Sequence, residues 1–341
     1  MNSPLNLKIT LLSLVLYAGY PYTTHAQDAA EPFMGRWALH LPGGAGWLNV
    51  HDGMGYLDAE LLWYGGSVLP VSGIYVTDGI LTVTRLSRVV RQRDDTGKAT
   101  RTHTLTNRLE LHHEDGVLHG MAIFPNRDGI GQSKTHFTGT SIADLPPAPD
   151  LSAVKYGEPI TLFNGTNLSG WSLVNPDWKN GWIVEDGVLI NNPVQPDDGH
   201  HISYGNLRTD GTYEDFRLTL QVNIPEGSNS GVYLRGIYEI QIMDSYGRTP
   251  DSHHMGALYS RITPSSVAEK PAGEWQSMDI ALVDRHVTVV LNGIKIIDNQ
   301  PVLGVTGGAL TADEFSPGPI YLQGDHGRVL YRDIVLTPIA K

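Results

Sequence analysis

The 341-residue sequence contains no cysteine, which excludes disulfides, thiolate metal sites and a lipid-modified N-terminal cysteine. Basic residues are few, with 24 Lys and Arg against 36 Asp and Glu and a net charge of -12. Nucleic acids and anionic membranes are therefore not expected partners, since both bind basic patches. The sequence also lacks a nucleotide-binding fingerprint, a Gly-x-Ser-x-Gly elbow and a His-Glu-x-x-His motif. These absences give no support to nucleotide-cofactor redox chemistry, serine hydrolysis or zincin proteolysis.

The beginning of the chain has the pattern of a secretory signal. Lys8 precedes an apolar run from Ile9 to Leu16, which is too short to span a bilayer. Ala26 supplies a small residue for cleavage before Gln27. Residues 1–26 are therefore predicted to be removed, and the mature protein is expected in the periplasm or outside the cell, not as a lipoprotein.

Glycine and proline are frequent, at 38 and 21 residues, and they fall between strand-like runs. Asp-Gly or Asn-Gly pairs are typical of two-residue hairpin turns, because both residues tolerate the positive φ that such turns need. Such pairs divide strand-like runs at Asp52-Gly53, Asp78-Gly79, Asp115-Gly116, Asp186-Gly187 and Asn292-Gly293. Residues Phe216 to Ile224 alternate apolar and polar, as in a half-exposed antiparallel strand. The sequence predicts an all-β protein.

A proline-rich linker at residues 141–153 divides the sequence into two predicted domains. The first, residues 31–140, has room for about eight short strands in a small barrel or sandwich. Its charged insert, residues 91–103, is predicted to be an exposed loop. Trp37, Trp47 and Trp63 of this domain could either stack on sugars or belong to its core. The second domain, residues 154–338, has the length and turn density of a jelly-roll sandwich.

The stretch from Asn229 to Gly247 carries polar and ionisable residues through a run that otherwise reads as strand. Because side chains alternate along a strand, Tyr233, Arg235, Glu239 and Gln241 are predicted to share one face. That face is the predicted binding floor.

The second domain resembles the bacterial 3-keto-disaccharide hydrolase family, also described as 3-keto-glucoside lyase/hydratase, whose domain is similar to the concanavalin and glucanase sandwich. The resemblance covers residues 155–338 and rests on ordered motifs: Leu162-Phe-Asn-Gly-Thr-Asn-Leu-Ser-Gly-Trp171, Trp182-Ile-Val-Glu-Asp-Gly-Val-Leu189, Asn229-Ser-Gly-Val-Tyr-Leu-Arg-Gly236, Tyr238-Glu-Ile-Gln-Ile-Met-Asp-Ser245, Gly256-Ala-Leu-Tyr259, Lys270-Pro-Ala-Gly-Glu-Trp-Gln276, Leu322-Gln-Gly-Asp-His-Gly327 and Tyr331-Arg-Asp-Ile334. The first domain lies outside this resemblance.

The resemblance implies cleavage of glycosides that are oxidised at C3. The 3-keto group acidifies the C2 proton, so that a base can form an enolate and the C1 substituent is eliminated, after which water adds back. For acid/base roles the candidates are Glu239, Asp244 and His326, with Asp325 as an alternative to His326. Arg235 is the candidate oxygen clamp or enolate stabiliser. The predicted substrate-binding residues are Gln241, Tyr233, Lys270, Trp275 and Gln323.

Two other functions remain open from the sequence. A conventional retaining glycosidase is one, because the segment from Glu239 to Asp244 loosely echoes the acidic strand motif of sandwich-fold glucanases. A non-catalytic carbohydrate-binding module is the other. The expected partners are an oxidised di- or oligosaccharide or glycoside and, upstream in the pathway, the sugar dehydrogenase that makes the keto group. No nucleotide cofactor is expected; a divalent cation on the 3-keto oxygen fits the chemistry, but no compact ligand set is found.

Overall fold

The computed structural model describes residues 29–196 and 200–340. The predicted secretory signal, residues 1–26, lies outside the described residues. A short 3₁₀ turn, Glu31–Phe33, precedes the first strand. No helix in the described part of the chain has the length and apolarity that a bilayer crossing requires.

The first part of the chain forms a nine-stranded antiparallel sheet in the order β4-β3-β2-β1-β9-β8-β7-β6-β5. Its strands are β1 Gly35–Leu41, β2 Gly44–Asp52, β3 Leu57–Trp63, β4 Leu69–Pro70, β5 Gly73–Thr77, β6 Ile80–Arg93, β7 Ala99–Glu114, β8 Val117–Pro125 and β9 Gln132–Ser141. Strand β5 also packs beside β3, so the sheet curls into a barrel around an apolar cluster that includes Leu39, Leu48, Leu61, Leu81 and Leu111. We call this unit the barrel.

Among the described residues after β9, fourteen strands form two further antiparallel sheets. They are β10 Lys155–Tyr156, β11 Ile160–Thr161, β12 Trp171–Leu173, β13 Trp182–Glu185, β14 Val188–Asn191, β15 Leu207–Thr209, β16 Phe216–Asn223, β17 Asn229–Leu234, β18 Tyr238–Met243, β19 Trp275–Val283, β20 His286–Leu291, β21 Ile294–Pro301, β22 Tyr321–Leu322 and β23 Val329–Ala340. The larger sheet has the order β13-β14-β23-β16-β19-β20-β21, and β10 and β11 pair along β23. The smaller sheet has the order β12-β15-β22-β17-β18.

Apolar side chains from both of these sheets form one cluster, so the sheets pack face to face as a sandwich. The predicted all-β, jelly-roll fold class is confirmed. Ala38, Ala45, Trp47 and Leu62 of the barrel belong to this cluster too, because the outer faces of β1, β2 and β3 rest against the sandwich. The barrel and the sandwich therefore share a continuous apolar contact.

Four of the five predicted two-residue turns are confirmed. Both central residues have positive φ at Asp78-Gly79, Asp115-Gly116, Asp186-Gly187 and Asn292-Gly293, and each pair joins two hydrogen-bonded strands. The fifth, at Asp52-Gly53, is wrong. The turn between β2 and β3 has four residues, and a hydrogen bond from the Gly53 N–H to the Tyr56 carbonyl closes it.

The charged insert is largely strand, which corrects the predicted loop. Strands β6 and β7 stay paired as far as Arg93 and Ala99, with irregular register near Gln92. Both faces of the hairpin are exposed at its end. The charged side chains there point into solvent, so they do not interrupt the strand pairing.

Trp37 and Trp63 lie in the barrel core. The Trp37 indole donates to the Phe33 carbonyl at 2.8 Å, and the Trp63 ring meets Phe124 and Phe137 edge to face. Together with the burial of Trp47 against the sandwich, this favours the core reading of the three tryptophans over a sugar-stacking platform.

Candidate active site

The candidate site lies on the face of the smaller sheet that points away from the sandwich core. Strands β17 and β18 form a hairpin in which Tyr233 pairs with Glu239 and Gly231 pairs with Gln241. Alternation sends Val232, Leu234 and Ile240 into the sandwich core and leaves these polar residues on the other face. Tyr233, Glu239 and Gln241 are nevertheless each at least 97% buried. The site is therefore covered by other segments of the chain.

One covering segment, residues 256–259, extends the sheet beyond β18. The Gly256 N–H donates to the Gln241 carbonyl at 2.8 Å, and the Tyr259 N–H donates to the Glu239 carbonyl at 2.9 Å. The backbone at Glu239 is therefore held on both sides, which restricts how far its side chain can move.

Glu239 is a buried carboxyl group with a perturbed pKa. Burial raises the pKa of Glu239 to about 8, although a hydrogen bond from Tyr233 and the charge of His326 act in the opposite direction. The Tyr233 hydroxyl lies 2.9 Å from Oε2 of this carboxyl. At neutral pH Glu239 is therefore mainly protonated, and its proton is available for transfer to a ligand.

The Tyr233 hydroxyl has one hydrogen and two possible acceptors. It lies 2.9 Å from Glu239 Oε2 and 2.7 Å from the Gly307 carbonyl oxygen. When Glu239 is ionised, Tyr233 can donate to the carboxylate; when Glu239 is protonated, it can donate to Tyr233 while Tyr233 donates to Gly307. The hydrogen-bond direction thus follows the protonation state of Glu239. Burial also raises the pKa of Tyr233 well above its usual value, so the phenol keeps its hydrogen.

Glycine is required directly beneath the carboxyl group. A Cβ atom built on Gly231 would collide with Glu239 Oε1 and would lie 2.9 Å from its Cδ. No other residue type at position 231 leaves Glu239 in its observed position.

Asp325 and His326 form a hydrogen-bonded pair whose charges act on Glu239. Asp325 Oδ1 accepts a hydrogen bond from His326 Nδ1 at 2.7 Å, and the two side chains are 35% and 48% exposed. This hydrogen bond raises the pKa of His326, and the charges of Asp325 and Glu239 act in the same direction. Because Nδ1 is bonded to Asp325, the neutral tautomer carries its lone pair on Nε2, which can act as a base. His326 and its sequence alternative Asp325 are therefore direct neighbours in the structure.

Aromatic and amide groups complete the face. The rings of Tyr233 and Tyr321 stack with their centroids 4.1 Å apart, and Asn206 Nδ2 donates to the Tyr321 hydroxyl at 2.8 Å. Gln241 Nε2 donates to Asn229 Oδ1 at 3.2 Å. The side-chain oxygens of Gln241 and Gln323 are buried and have no partner in the described part of the chain. Both can accept a hydrogen bond from a hydroxyl group.

Arg235 does not share the face of Glu239, which corrects the strand-parity prediction. With a φ of 54°, followed by Gly236 at 69°, Arg235 occupies the β17–β18 turn. Its guanidinium donates to the backbone carbonyls of Glu314 and Ser316 at 2.5–3.2 Å. The role that the structure gives Arg235 is to hold the 314–316 segment.

Asp244, Lys270 and Trp275 are also not brought to Glu239. Asp244 caps the end of β18, where its Oδ2 accepts from the Gly227 N–H at 2.9 Å. Trp275 lies on the outer face of the larger sheet with Arg332 4.0 Å above its ring, and Lys270 Nζ donates to the Trp275 carbonyl. Of the nine predicted site residues, the structure gathers Tyr233, Glu239, Gln241, Gln323 and His326.

Sequence reasoning missed the Tyr321 ring, Asn206, and the Thr306–Gly307 segment. Tyr321 directly precedes the Leu322 motif and so could have been included by strand pairing with Tyr233. Thr306 and Gly307 carry no such signal, since they reach Glu239 only through folding of a loop more than 60 residues away. Among the described residues, no three His, Asp or Glu side chains converge as a metal-binding group.

The comparisons with known proteins agree with the motif-based reading of the second domain. A family model described as "3-keto-alpha-glucoside-1,2-lyase-like domain" matches residues 158–337, slightly more than half of the chain. The resemblance drawn from the sequence is thereby confirmed. No curated protein matches the chain.

Solved structures of similar proteins include two candidate glycosyl hydrolases from Parabacteroides distasonis ATCC 8503. One is 27% identical, with 57% of this chain and 93% of that chain covered and a TM-score of 0.42. The other is 26% identical, with 53% and 98% covered and a TM-score of 0.40. A non-specific endo-β-1,3(4)-glucanase is 12% identical, with 57% and 92% covered and a TM-score of 0.34.

Proposed function

The chain belongs to the family of 3-keto-alpha-glucoside-1,2-lyase-like domains and is thus a glycoside-acting enzyme, and from this premise we propose that it cleaves 3-keto-glycosides by elimination across C1 and C2. The observation that carries this proposal is the buried Glu239, mainly protonated at neutral pH, beside the Asp325–His326 pair. Proton removal and proton delivery can thus be assigned to different groups on one face.

The proposed reaction has a defined proton balance. The C2–H bond breaks, the proton goes to the base, and the electron pair forms an enolate with the 3-keto group. The C1–O bond then breaks, the C1=C2 double bond forms, and the departing oxygen takes up a proton. Water addition to C1, with a proton returning to C2, gives the 3-keto sugar. No oxidant or reductant is consumed.

His326 is the proposed base and Glu239 the proposed acid. His326 Nε2 has no hydrogen-bond partner among the described residues, whereas Nδ1 is fixed by Asp325. Glu239 holds its proton because charge is disfavoured in its buried position. Tyr233 is the adjacent hydroxyl that can pass this proton on, and Gln241 and Gln323 offer acceptors for sugar hydroxyls.

These assignments predict a pH window for activity. The base must be neutral, so activity rises as pH increases through the pKa of His326, which lies above its usual value of 6.5. The acid must be protonated, so activity falls as pH increases through about 8, the pKa of Glu239. A bell-shaped profile of kcat/KM with its alkaline limb near pH 8 is expected. Asp325→Asn is expected to move the acid limb to lower pH, because the main cause of the raised His326 pKa is removed.

The decisive experiment follows the C2 proton. Residues 27–341 are incubated in D₂O with a 3-keto-glucoside carrying a chromogenic aglycone, and with the matching unoxidised glucoside. The proposal expects aglycone release only from the keto substrate, deuterium at C2 of the product, and a primary isotope effect with substrate deuterated at C2. Release without C2 exchange would contradict elimination.

The same experiment tests the alternatives. Turnover of the plain glucoside would favour a conventional glycosidase, although five residues of strand place Asp244 about 16 Å from Glu239, beyond the separation of a catalytic carboxylate pair. Binding without turnover of either substrate would favour a carbohydrate-binding module.

The reaction also requires a supplier of its substrate. The keto group has to be introduced by a dehydrogenase that oxidises the C3 hydroxyl, and we place this protein downstream of such an enzyme. We propose export to the periplasm or beyond, on the pattern of residues 1–26. Cell fractionation with an antibody against the protein would test the location.

A further inference from the structure

The segment 304–308 lies between the Glu239 site and the barrel. On the site side, Thr306 Oγ1 accepts a hydrogen bond from the Glu239 N–H at 2.9 Å, and the Gly307 carbonyl accepts one from Tyr233 at 2.7 Å. A Cβ atom built on Gly308 would lie 2.7 Å from the Tyr233 hydroxyl. The position of this segment therefore fixes the hydrogen-bond partners of both Tyr233 and Glu239.

On its other side the segment touches the backbone of the barrel. The Gly308 N–H donates to the Tyr64 carbonyl at 2.9 Å. A Cβ atom built on Gly307 would collide with the Gly66 carbonyl oxygen and would lie 2.7 Å from its nitrogen. The loop between β3 and β4 and the segment 304–308 are thus in direct backbone contact, with no space for a side chain between them.

Trp47 of the barrel secures the start of the same segment. Arg261 donates to the Val305 carbonyl at 2.9 Å and to the Leu303 carbonyl at 2.6 Å. The Trp47 ring lies 4.4 Å from the Arg261 guanidinium, and a Cβ atom on Gly304 would be 2.5 Å from Trp47 Cδ1. Trp47 therefore covers both the arginine that holds the segment and the segment itself.

Side-chain hydrogen bonds fix the barrel loop on the sandwich. Ser67 Oγ lies 2.8 Å from His253 Nε2, and the Val68 N–H donates to Ser260 Oγ at 2.9 Å. These bonds lie beside the shared apolar contact of Ala45, Trp47 and Leu62 with the sandwich core. The loop is therefore not free to move independently of the site.

We infer that the barrel is part of the catalytic unit: through Trp47 and the loop 64–68 it positions the segment 304–308, and thereby the hydrogen-bond system of Tyr233 and Glu239. Trp47 and Ser67 are positioning residues, since neither reaches the site. The effect on rate rests on the proposed function, whereas the effect on the segment does not. If the barrel only captured sugar for the site, its disruption would raise KM and leave kcat unchanged.

The test compares Trp47→Ala with Trp47→Phe in the full chain. Trp47→Phe keeps an aromatic ring over Arg261, whereas Trp47→Ala removes it. For Trp47→Ala we expect amide hydrogen exchange in 304–308 to speed up at least about 10-fold, and kcat to fall about 10-fold with KM within about twofold, since small displacements of a catalytic group cost this much. The alkaline limb is expected below pH 8, because water that reaches Glu239 relieves its desolvation. Trp47→Phe is expected to behave like the parent protein in all respects.

Ser67→Ala removes only a hydroxyl group and leaves no cavity, so it replaces Trp47→Ala if that variant does not fold. We expect amide hydrogen exchange in 304–308 to speed up about threefold and kcat to fall about threefold. Ser152→Ala, in an exposed turn of the linker, is the matched control and should change nothing. Unchanged exchange in 304–308 in both Trp47→Ala and Ser67→Ala would overturn the inference, as would a rise in KM at constant kcat. Faster exchange in a protein without activity on either sugar would sustain the inference and reject the proposed function.

Discussion

The barrel and the sandwich use the two faces of a β-sheet differently. In the barrel, the enclosed face is an apolar cluster and the opposite face carries polar pairs such as Glu60 with Asn49 and His51. In the smaller sheet of the sandwich, both faces of β18 are buried, and one of them holds Glu239 and Gln241. Burying an ionisable group costs stability. A buried ionisable group such as Glu239 therefore indicates a functional role. The contrast separates the face of the proposed active site from the faces whose burial stabilises the fold.

The largest expected effect tests this contrast with one substitution in each unit. Glu239→Gln removes the proposed acid and should lower kcat/KM about 10² to 10⁴-fold. Glu60→Gln makes the same chemical change in a half-exposed barrel carboxylate and should leave kcat/KM unchanged. Circular dichroism of both variants checks that the fold is kept. A Glu239→Gln variant with near-normal kcat/KM would remove Glu239 from the proposed mechanism.

The same pair of variants should differ in the pH dependence of stability. The native pKa of Glu239, about 8, lies above its usual value of 4.5, so the folded state binds this proton more tightly than the unfolded state. Stability is therefore expected to fall as pH rises from about 4.5 to about 8 and then to level off. Glu239→Gln should lose this slope and gain a few kcal/mol relative to the parent at pH 8. Urea denaturation at several pH values measures this pH dependence of the free energy of unfolding. Glu60→Gln should show the same pH dependence as the parent protein.

A smaller effect is expected from substitutions that add a methyl group at a buried glycine in each unit. Gly231→Ala places a Cβ against Glu239 Oε1, and Gly120→Ala places one against the Phe137 ring inside the barrel. Both should lower the melting temperature, since both overpack a buried site. Only Gly231→Ala should also lower kcat, by about 10² when the carboxyl group is displaced by about 1 Å. Equal losses of kcat in the two variants would mean that stability alone limits activity.

Tyr233→Phe refines the description of the site and should cost about 10-fold in kcat. The ring stays stacked on Tyr321, but the hydroxyl that hydrogen-bonds to the Glu239 carboxyl is lost. Because that bond lowers the pKa of Glu239, its removal should move the alkaline limb of the pH profile above pH 8. A limb that stays in place would show that Tyr233 donates to Gly307 and not to Glu239.

The smallest effects are expected on the outer face of the larger sheet. Trp275→Leu and Lys270→Ala should change KM by less than about twofold. The Trp275 ring packs under Arg332, and Lys270 Nζ donates to the Trp275 carbonyl, so neither side chain contacts Glu239. A large rise in KM in either variant would mean that substrate binds across both sheets.

Local rules predicted the parts of the structure that depend on neighbouring residues. Paired Asp-Gly and Asn-Gly residues identified four turns, and alternation placed Tyr233, Glu239 and Gln241 on one face. Arg235 failed the same rule because its positive φ takes it out of the strand. Parity holds only while the chain remains extended.

The remaining parts of the site depend on contacts between distant segments. Trp275 lies in a family motif, yet nothing in that motif tells which sheet its strand joins. Thr306 and Gly307 meet Glu239 through a loop with no pattern of its own. Desolvation of Glu239 likewise results from the segments that cover it, so its pKa of about 8 could be read only from the fold.

The position of β23 sets the order in which the two units can form. In the barrel, each strand pairs with a sequence neighbour except where β1 meets β9, so most of it can assemble from nearby segments as they emerge during synthesis. In the sandwich, β23 joins β14 to β16 and also pairs with β10 and β11, so the larger sheet is divided until residues 329–340 are available. The larger sheet is therefore completed last, whereas the barrel that contacts segment 304–308 can form from strands made earlier.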